Sequence, residues 1–207
     1  MTDDIKKVDF KRELKHLYRA SSKKIEIAEV SSMNFLMIDG KGDPNNSPTY
    51  SAAVAALYGL SYALKFAIKK AQSIDYKVMP LEGLWWVEDM TKFSTDHKDD
   101  WSWTMMIMQP EYITPQLVEE HRAIVSKKKQ LPSLPSVRLD AYDEGLSIQL
   151  MHIGAYADEA PNIARMHKFI EDNGYAINGK HHEIYLSDPR RAAPEKMKTI
   201  LRQPIKK

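Results

Sequence analysis

Apolar and polar positions along the chain change their period several times, and each change marks an element. Phe10, Leu14, Leu17 and Tyr18 fall at helical spacing and predict a short amphipathic helix. Ile25, Ile27 and Val30 then alternate as a strand does. Met33 to Ile38 is an apolar run that ends at Asp39-Gly40-Lys41-Gly42-Asp43-Pro44, a strand followed by a glycine-rich turn. From Tyr50 to Gln72, the positions Val54, Leu57, Ser61, Leu64, Ile68 and Ala71 mark one face of a long helix.

Two strands follow, a brief one at Lys77 to Met79 and a strongly β-prone one at Leu84-Trp85-Trp86-Val87 that stops at Glu88-Asp89. A polar loop is expected over Thr91 to Asp100. Trp101 to Met108 alternates next, with Trp101, Trp103, Met105 and Ile107 on one face. Thr114-Pro115 opens a helix whose inner side is Leu117, Val118, His121, Ile124 and Val125. Lys127 to Ser136, with prolines and lysines, reads as an exposed connector. Val137 to Tyr142 and Leu146 to Ile153 predict a hairpin around Asp143-Glu144-Gly145. Asp158 is placed to cap a helix that has Pro161 in its first turn, faces inward through Ile163, Met166, Phe169 and Ile170, and ends at Gly174. The last predicted strand runs from Glu183 to Leu186 and stops at Ser187-Asp188-Pro189.

The order strand, helix, strand, strand therefore occurs twice. Phe35-Leu36-Met37-Ile38-Asp39-Gly40 is similar to Leu150-Met151-His152-Ile153-Gly154, and matching Asp89 with Asp188 sets Trp86 on Tyr185. The fold class this implies is α+β, a duplicated β-α-β-β unit with an antiparallel sheet. Helices would cover one face, and a ligand groove would run along the pseudo-twofold axis of the other. Residues 1–30 read as an N-terminal helix and strand appendage, and residues 31–207 as one domain. Its repeats are expected over about 31–110 and 137–188.

Composition narrows the function classes. Hydrophobic residues make up 43% and charged residues 28%, ordinary values for a globular chain. A net charge of +2 supplies no general attraction to nucleic acid, so no direct nucleic-acid partner is expected. With no cysteine, disulfides, thiolate metal sites and cysteine nucleophiles drop out. The polar start carries no signal-peptide core and no window reads as a membrane span, so the expectation is a cytoplasmic protein without a membrane partner.

The candidate chemistry centres on Glu183. Strand alternation puts Glu183 and Tyr185 on one face and Ile184 and Leu186 on the other. If the apolar pair packs beneath the helices, Glu183 faces the groove. There, among aromatic rings, it would be a poorly solvated carboxylate suited to act as a general base or as a counter-ion for a cation. An exposed acid at a strand end is the competing reading. Trp86, Tyr185, Trp103 and Tyr50 are the expected substrate-binding rings, flat walls for a lipophilic or aromatic small molecule. His181 and His182 are adjacent on a strand and point apart, so a shared metal is not expected. Neither GxxxxGK[ST], GxGxxG nor GxSxG occurs, and no cofactor is expected.

Three segments together carry a family likeness: Asn34-Phe35-Leu36-Met37-Ile38-Asp39-Gly40-Lys41-Gly42, Leu81-Glu82-Gly83-Leu84-Trp85-Trp86 and His182-Glu183-Ile184-Tyr185-Leu186-Ser187-Asp188. From about Ile25 onward the chain resembles the GyrI-like small-molecule-binding family, most closely its stand-alone members with a double-tryptophan strand. The resemblance implies an SH2-like duplicated fold and a groove glutamate, matched by Glu183, that pairs with lipophilic cations in multidrug-sensing regulators. In stand-alone relatives it implies hydrolysis of cyclopropane-bearing DNA-alkylating natural products, with the glutamate and groove aromatics serving the reaction. Other relatives are named for inhibiting DNA gyrase, so a gyrase contact stays open, as does a homodimer. No helix-turn-helix accompanies the domain in this sequence, which argues against regulation by direct DNA binding.

Overall fold

A computed structural model of the chain describes residues 5–88 and 98–207; most of the loop expected over 91–100, and Asp89, lie outside the described residues. The chain begins with β1 (Lys6–Val8), two single-turn helices α1 (Phe10–Glu13) and α2 (Lys15–Tyr18), and β2 (Glu26–Val30). The helix expected from Phe10 is thus broken at Leu14, whose backbone leaves helical geometry (φ −98°, ψ 36°). β3 (Met33–Lys41) leads to α3 (Pro48–Gln72). Ser47 caps α3 by accepting from the Tyr50 amide at 3.3 Å, Pro48 sits where no amide is needed, and Ser73 closes the helix in the left-handed region (φ 54°). Then come β4 (Ile74–Tyr76), β5 (Leu81–Trp86), β6 (Ser102–Gln109) and α4 (Pro115–Lys128), which Thr114 caps at the Leu117 amide. The second half holds β7 (Arg138–Tyr142), β8 (Gly145–Ile153), α5 (Ala160–Asp172), β9 (Ala176–Ile177), β10 (His181–Tyr185) and β11 (Lys198–Lys206).

One large antiparallel sheet organises all of this, in the order β2-β8-β11-β10-β5-β6-β3-β7, with β9 added to β11; β1 and β4 pair separately in parallel. The sheet reads alike outward from its β10–β5 centre. The units β3-α3-β5-β6 and β8-α5-β10-β11 occupy its two halves, the second extending through β11 beyond the 137–188 expected for it.

Three expectations are corrected. β11 was not expected, yet it is an inner strand between β8 and β10; buried Arg202 and Gln203 and an internal Pro204 mask its apolar alternation. The hairpin expected around Asp143-Glu144-Gly145 does not form. β7 pairs with β3 and β8 pairs with β2, so each half's leading strand joins the other half. Glu144 explains this, because its carboxylate turns inward to buried partners instead of projecting from a turn. Finally, among the described residues the segment 5–30 is not an appendage. β2 is an edge of the main sheet, Leu17 and Tyr18 are core residues, and it is Ala28 and Val30 that face inward while Ile27 is exposed.

Residues paired across strands share a sheet face. One face carries Leu81, Gly83 and Trp85 of β5 and their partners Tyr185, Glu183 and His181 of β10, along with Trp103, Met105, Thr199 and Leu201. α3 and α5 lie on this face. α3 presents Ala53, Leu57, Leu60 and Leu64 to it, and Gln109 donates to Ser61 across the contact. α5 packs Met166 and Ile170 on Ile148, Leu150 and Leu201. By length and composition α3 could cross a membrane, which corrects the expectation that no segment could; here its apolar stripe is buried against the sheet.

The opposite face holds Glu82, His182, Arg202 and Gln149 under the N-terminal segment. His182 lies between two carboxylates, Nδ1 at 2.9 Å from Glu144 and Nε2 at 3.0 Å from Glu82. Arg202 donates to Glu144, to Gln149 and to the Leu17 carbonyl, and Tyr18 donates to Glu82 at 2.7 Å. Two acids and two bases thus balance in charge inside the protein, which is the condition for burying them.

Candidate functional site

Gly83 is the floor of the site. It pairs directly with Glu183 at the centre of the sheet. A Cβ at position 83 would fall 2.8 Å from Trp85 Nε1 and 3.0 Å from the Tyr185 hydroxyl. Because that Cβ is missing, the two side chains meet above the glycine. The Trp85 indole donates to the Tyr185 hydroxyl at 3.0 Å, and that hydroxyl donates to Glu183 Oε2 at 2.8 Å. Each donor in this relay has one acceptor, so the Glu183 carboxylate is held in one orientation. Its other oxygen lies 3.6 Å from His181 Nε2. Glu183 is 9% exposed, so the reading of an exposed acid at a strand end is set aside.

A second carboxyl group adjoins it. The expected cap, Asp158, sits in a short 3-10 turn (Tyr156–Asp158), and the position before α5 is taken by Glu159, whose side chain caps no amide. Glu159 is 4% exposed, and burial together with the neighbouring charge of Glu183 pushes its carboxyl up to about 10, with the Thr199 hydroxyl partly offsetting the rise. At neutral pH Glu159 therefore holds a proton beside Glu183. His152 fixes the turn that delivers Glu159. Its Nε2 donates to the Ala155 carbonyl at 3.0 Å and its Nδ1 accepts from Asn162 at 2.9 Å, the tautomer these partners require.

Aromatic rings enclose the pair. Tyr50, at the start of α3, stacks on Trp85 with centroids 6.1 Å apart and meets Trp103 edge-on at 5.4 Å. Tyr156 meets Tyr185 edge-on at 5.5 Å from the α5 side. Burial, and then the charge of Glu183, pushes the Tyr50 hydroxyl up, so it stays a neutral donor.

Of the residues expected from sequence, Glu183, Tyr185 and Tyr50 come together here. Two placements are corrected. Trp86 lies on the opposite sheet face with the Lys180 ammonium 3.3 Å from its ring centroid, and Trp85 takes the place expected for it. The match of Trp86 to Tyr185 was one residue out of step: centring on the Gly83–Glu183 pair makes Trp85 the counterpart of Tyr185, and a one-residue slip exchanges the faces. Trp103 shares the right face, is 1% exposed, lies across Gly40, whose Cβ would meet its ring at 2.1 Å, and stands behind Tyr50, so it acts there as a support for that ring. Glu183 itself lies on the helix-bearing face, between Tyr50 of α3 and Tyr156 before α5, and not on the open face expected for the groove. Ile184 packs beneath the N-terminal segment, not beneath α3 and α5. Glu159, Tyr156 and Thr199 were not anticipated; the Pro161 signal for a helix start was present, but Asp158 next door was the better capping residue on paper.

Two open hollows of about 480 and 520 Å3 flank α4 near Glu119 and Arg122. The Arg122 guanidinium there is already bound to the Leu134 and Val137 carbonyls and to Glu119, so the reactive groups are those between α3 and α5.

Known proteins agree with this architecture. An uncharacterized conserved protein from Listeria innocua is 42% identical, with a TM-score of 0.89 over 96% of this chain and 100% of its own. A hydrolase from Listeria innocua is 41% identical, with a TM-score of 0.87 over 97% and 100%. The C-terminal domain of EcmrR shares the fold at 11% identity and a TM-score of 0.54, over 89% and 98%. No curated protein matches the chain. The family model described as a GyrI-like small molecule binding domain matches residues 23–206. With a mirrored sheet, two framing helices and relatives of full coverage above 40% identity, the chain belongs to the GyrI-like small-molecule-binding family.

Proposed function

We propose that this protein binds planar lipophilic molecules between α3 and α5 and hydrolyses a cyclopropane fused to an electron-poor ring system. The observation that carries the reading is the buried Glu183 carboxylate, oriented by Tyr185 and Trp85 over a glycine floor. The name hydrolase carried by a relative of full coverage supports a reaction with water.

In the reaction, Tyr50 and Tyr156 hold the ring system by its faces. Glu183 takes a proton from water as the water oxygen bonds to a cyclopropane carbon. The strained carbon–carbon bond breaks, and its electron pair moves into the conjugated carbonyl. A neutral tyrosine hydroxyl, that of Tyr50, donates to the oxygen that receives the charge, and that oxygen then takes the water proton back from Glu183, which restores the carboxylate and completes the addition of one water. The delocalised leaving group explains why so few groups suffice.

Glu183→Gln keeps the shape of the carboxylate and removes its basicity. The expected result with a cyclopropane-fused dienone is retained binding, followed by tryptophan fluorescence, and turnover lowered by roughly 100-fold or more, followed by the dienone absorbance and a mass gain of one water. Turnover at the parental rate would refute Glu183 as the base. A binding module without chemistry is the second reading, favoured by tyrosine faces around a buried anion, which suit a lipophilic cation. Under that reading the dienone is recovered unchanged.

A further inference from the structure

Glu159 is left over by the reaction just described. Opening a cyclopropane into a conjugated carbonyl needs a base for water and a donor to a delocalised charge. It does not need a buried carboxylic acid beside the base. Yet the fold spends the start of α5 on placing one. Glu159 Oε1 and the Thr199 hydroxyl are buried beside each other, near enough for the hydroxyl to act on the carboxyl, yet neither makes a hydrogen bond of full geometry among the described residues; Thr199 stands on the strand face of Tyr185. Two buried polar groups with unfilled hydrogen-bonding capacity next to an oriented carboxylate are what a polar reacting atom would complete.

We infer that the same cleft opens aryl-substituted epoxides by adding water, with Glu183 accepting a proton from the water and Glu159 donating one to the epoxide oxygen. This rests on the reading of Glu183 as a base and extends it to a second substrate class. An epoxide expels a localised alkoxide, a poor leaving group that needs a proton as the bond breaks. The water oxygen bonds to one epoxide carbon, that carbon's bond to oxygen breaks, and the electron pair leaves on the oxygen, which takes the Glu159 proton. Water loses a proton to Glu183. The product is a diol, and the two carboxyl groups have exchanged protonation states. Because they adjoin, one proton transfer between them restores the starting state without an outside acid or base. The held proton of Glu159 at neutral pH fits this role. Tyr50, Tyr156 and Tyr185 supply the faces for the aryl groups.

The test uses the full chain with trans-stilbene oxide in oxygen-18 water, beside the cyclopropane-fused dienone. The expected product is the diol carrying one solvent oxygen, formed well above the rate without protein. Glu159→Gln is expected to lower the ratio of epoxide to dienone turnover by at least about tenfold. In the unmodified protein, epoxide opening should fall with rising pH before dienone opening does, a measurement that holds even if the variant fails to fold. Dienone turnover without diol formation would overturn the epoxide inference and leave Glu183 as the base of the first reaction. An unchanged ratio in Glu159→Gln, or identical pH profiles, would also overturn it. Loss of both activities in the unmodified protein would remove the underlying reading as well.

Discussion

Gly83 and Glu183 face each other at the middle of the β5–β10 seam that joins the two halves of the sheet, and they divide the work. The glycine gives up its side chain so that Trp85 and Tyr185 can close over it, and the glutamate uses the space. Gly83→Ala should therefore harm the site more than the fold. The expected outcome is a folded protein whose dienone turnover drops at least about tenfold, since small displacements of a catalytic group cost rate steeply; circular dichroism and turnover measured together check it. Tyr185→Phe removes the donor to Glu183 and leaves the Trp85 indole unpartnered. It should cost about 1–3 kcal/mol in thermal or urea denaturation, the usual penalty for a buried donor left without an acceptor. Glu183 and Tyr185 were legible in sequence because strand alternation fixes which neighbours share a face. The choice between Trp85 and Trp86 was not, because adjacent tryptophans are equally apolar and only the pairing register separates them.

Among the elements, β2, β7 and β11 explain what sequence could not supply. Long apolar runs such as Phe35 to Ile38 announce themselves, whereas β11 interleaves apolar residues with Arg202 and Gln203, polar side chains that are buried because partners elsewhere in the chain await them. Those partners are distant in sequence, so nothing local to β11 reveals them. The same network predicts how stability depends on pH. Flanking carboxylates hold His182 up to about 9, against desolvation, and His182 and Arg202 hold Glu144 down to about 2, again against desolvation. For His182 the folded value is raised, so its contribution is complete below the unfolded value near 6.5 and is lost as pH climbs through about 9. For Glu144 the folded value is lowered, so its contribution is complete above an unfolded value near 4.5 and is lost as pH falls towards 2. Thermal stability should peak between these limits. His182→Gln should lower stability by roughly 3–5 kcal/mol at pH 7, because buried acids lose their counter-charge, and should flatten the alkaline fall. A pH series of melting curves on both proteins tests the two statements.

At the scale of the whole molecule, the strand exchange ties the halves together and the N-terminal segment fastens one sheet face so that the other is left for α3 and α5. Tyr18 on Glu82 and the Leu17 carbonyl on Arg202 link that segment to the back of β5 and β11, while the residues next to Glu82 and His182 along the strands, Gly83 and Glu183, form the site on the front. Removing residues 1–22 should thus lower the melting temperature and also weaken binding between the helices, a joint loss that an appendage would not produce. The most direct measurement is a crystal structure of the Glu183→Gln variant soaked with intact cyclopropane-fused dienone. The account predicts the guest between Tyr50 and Tyr156, with its three-membered ring within one water of residue 183. A guest bound beside Trp86 on the opposite face, or in the hollows along α4 with the α3–α5 cleft empty, would contradict it.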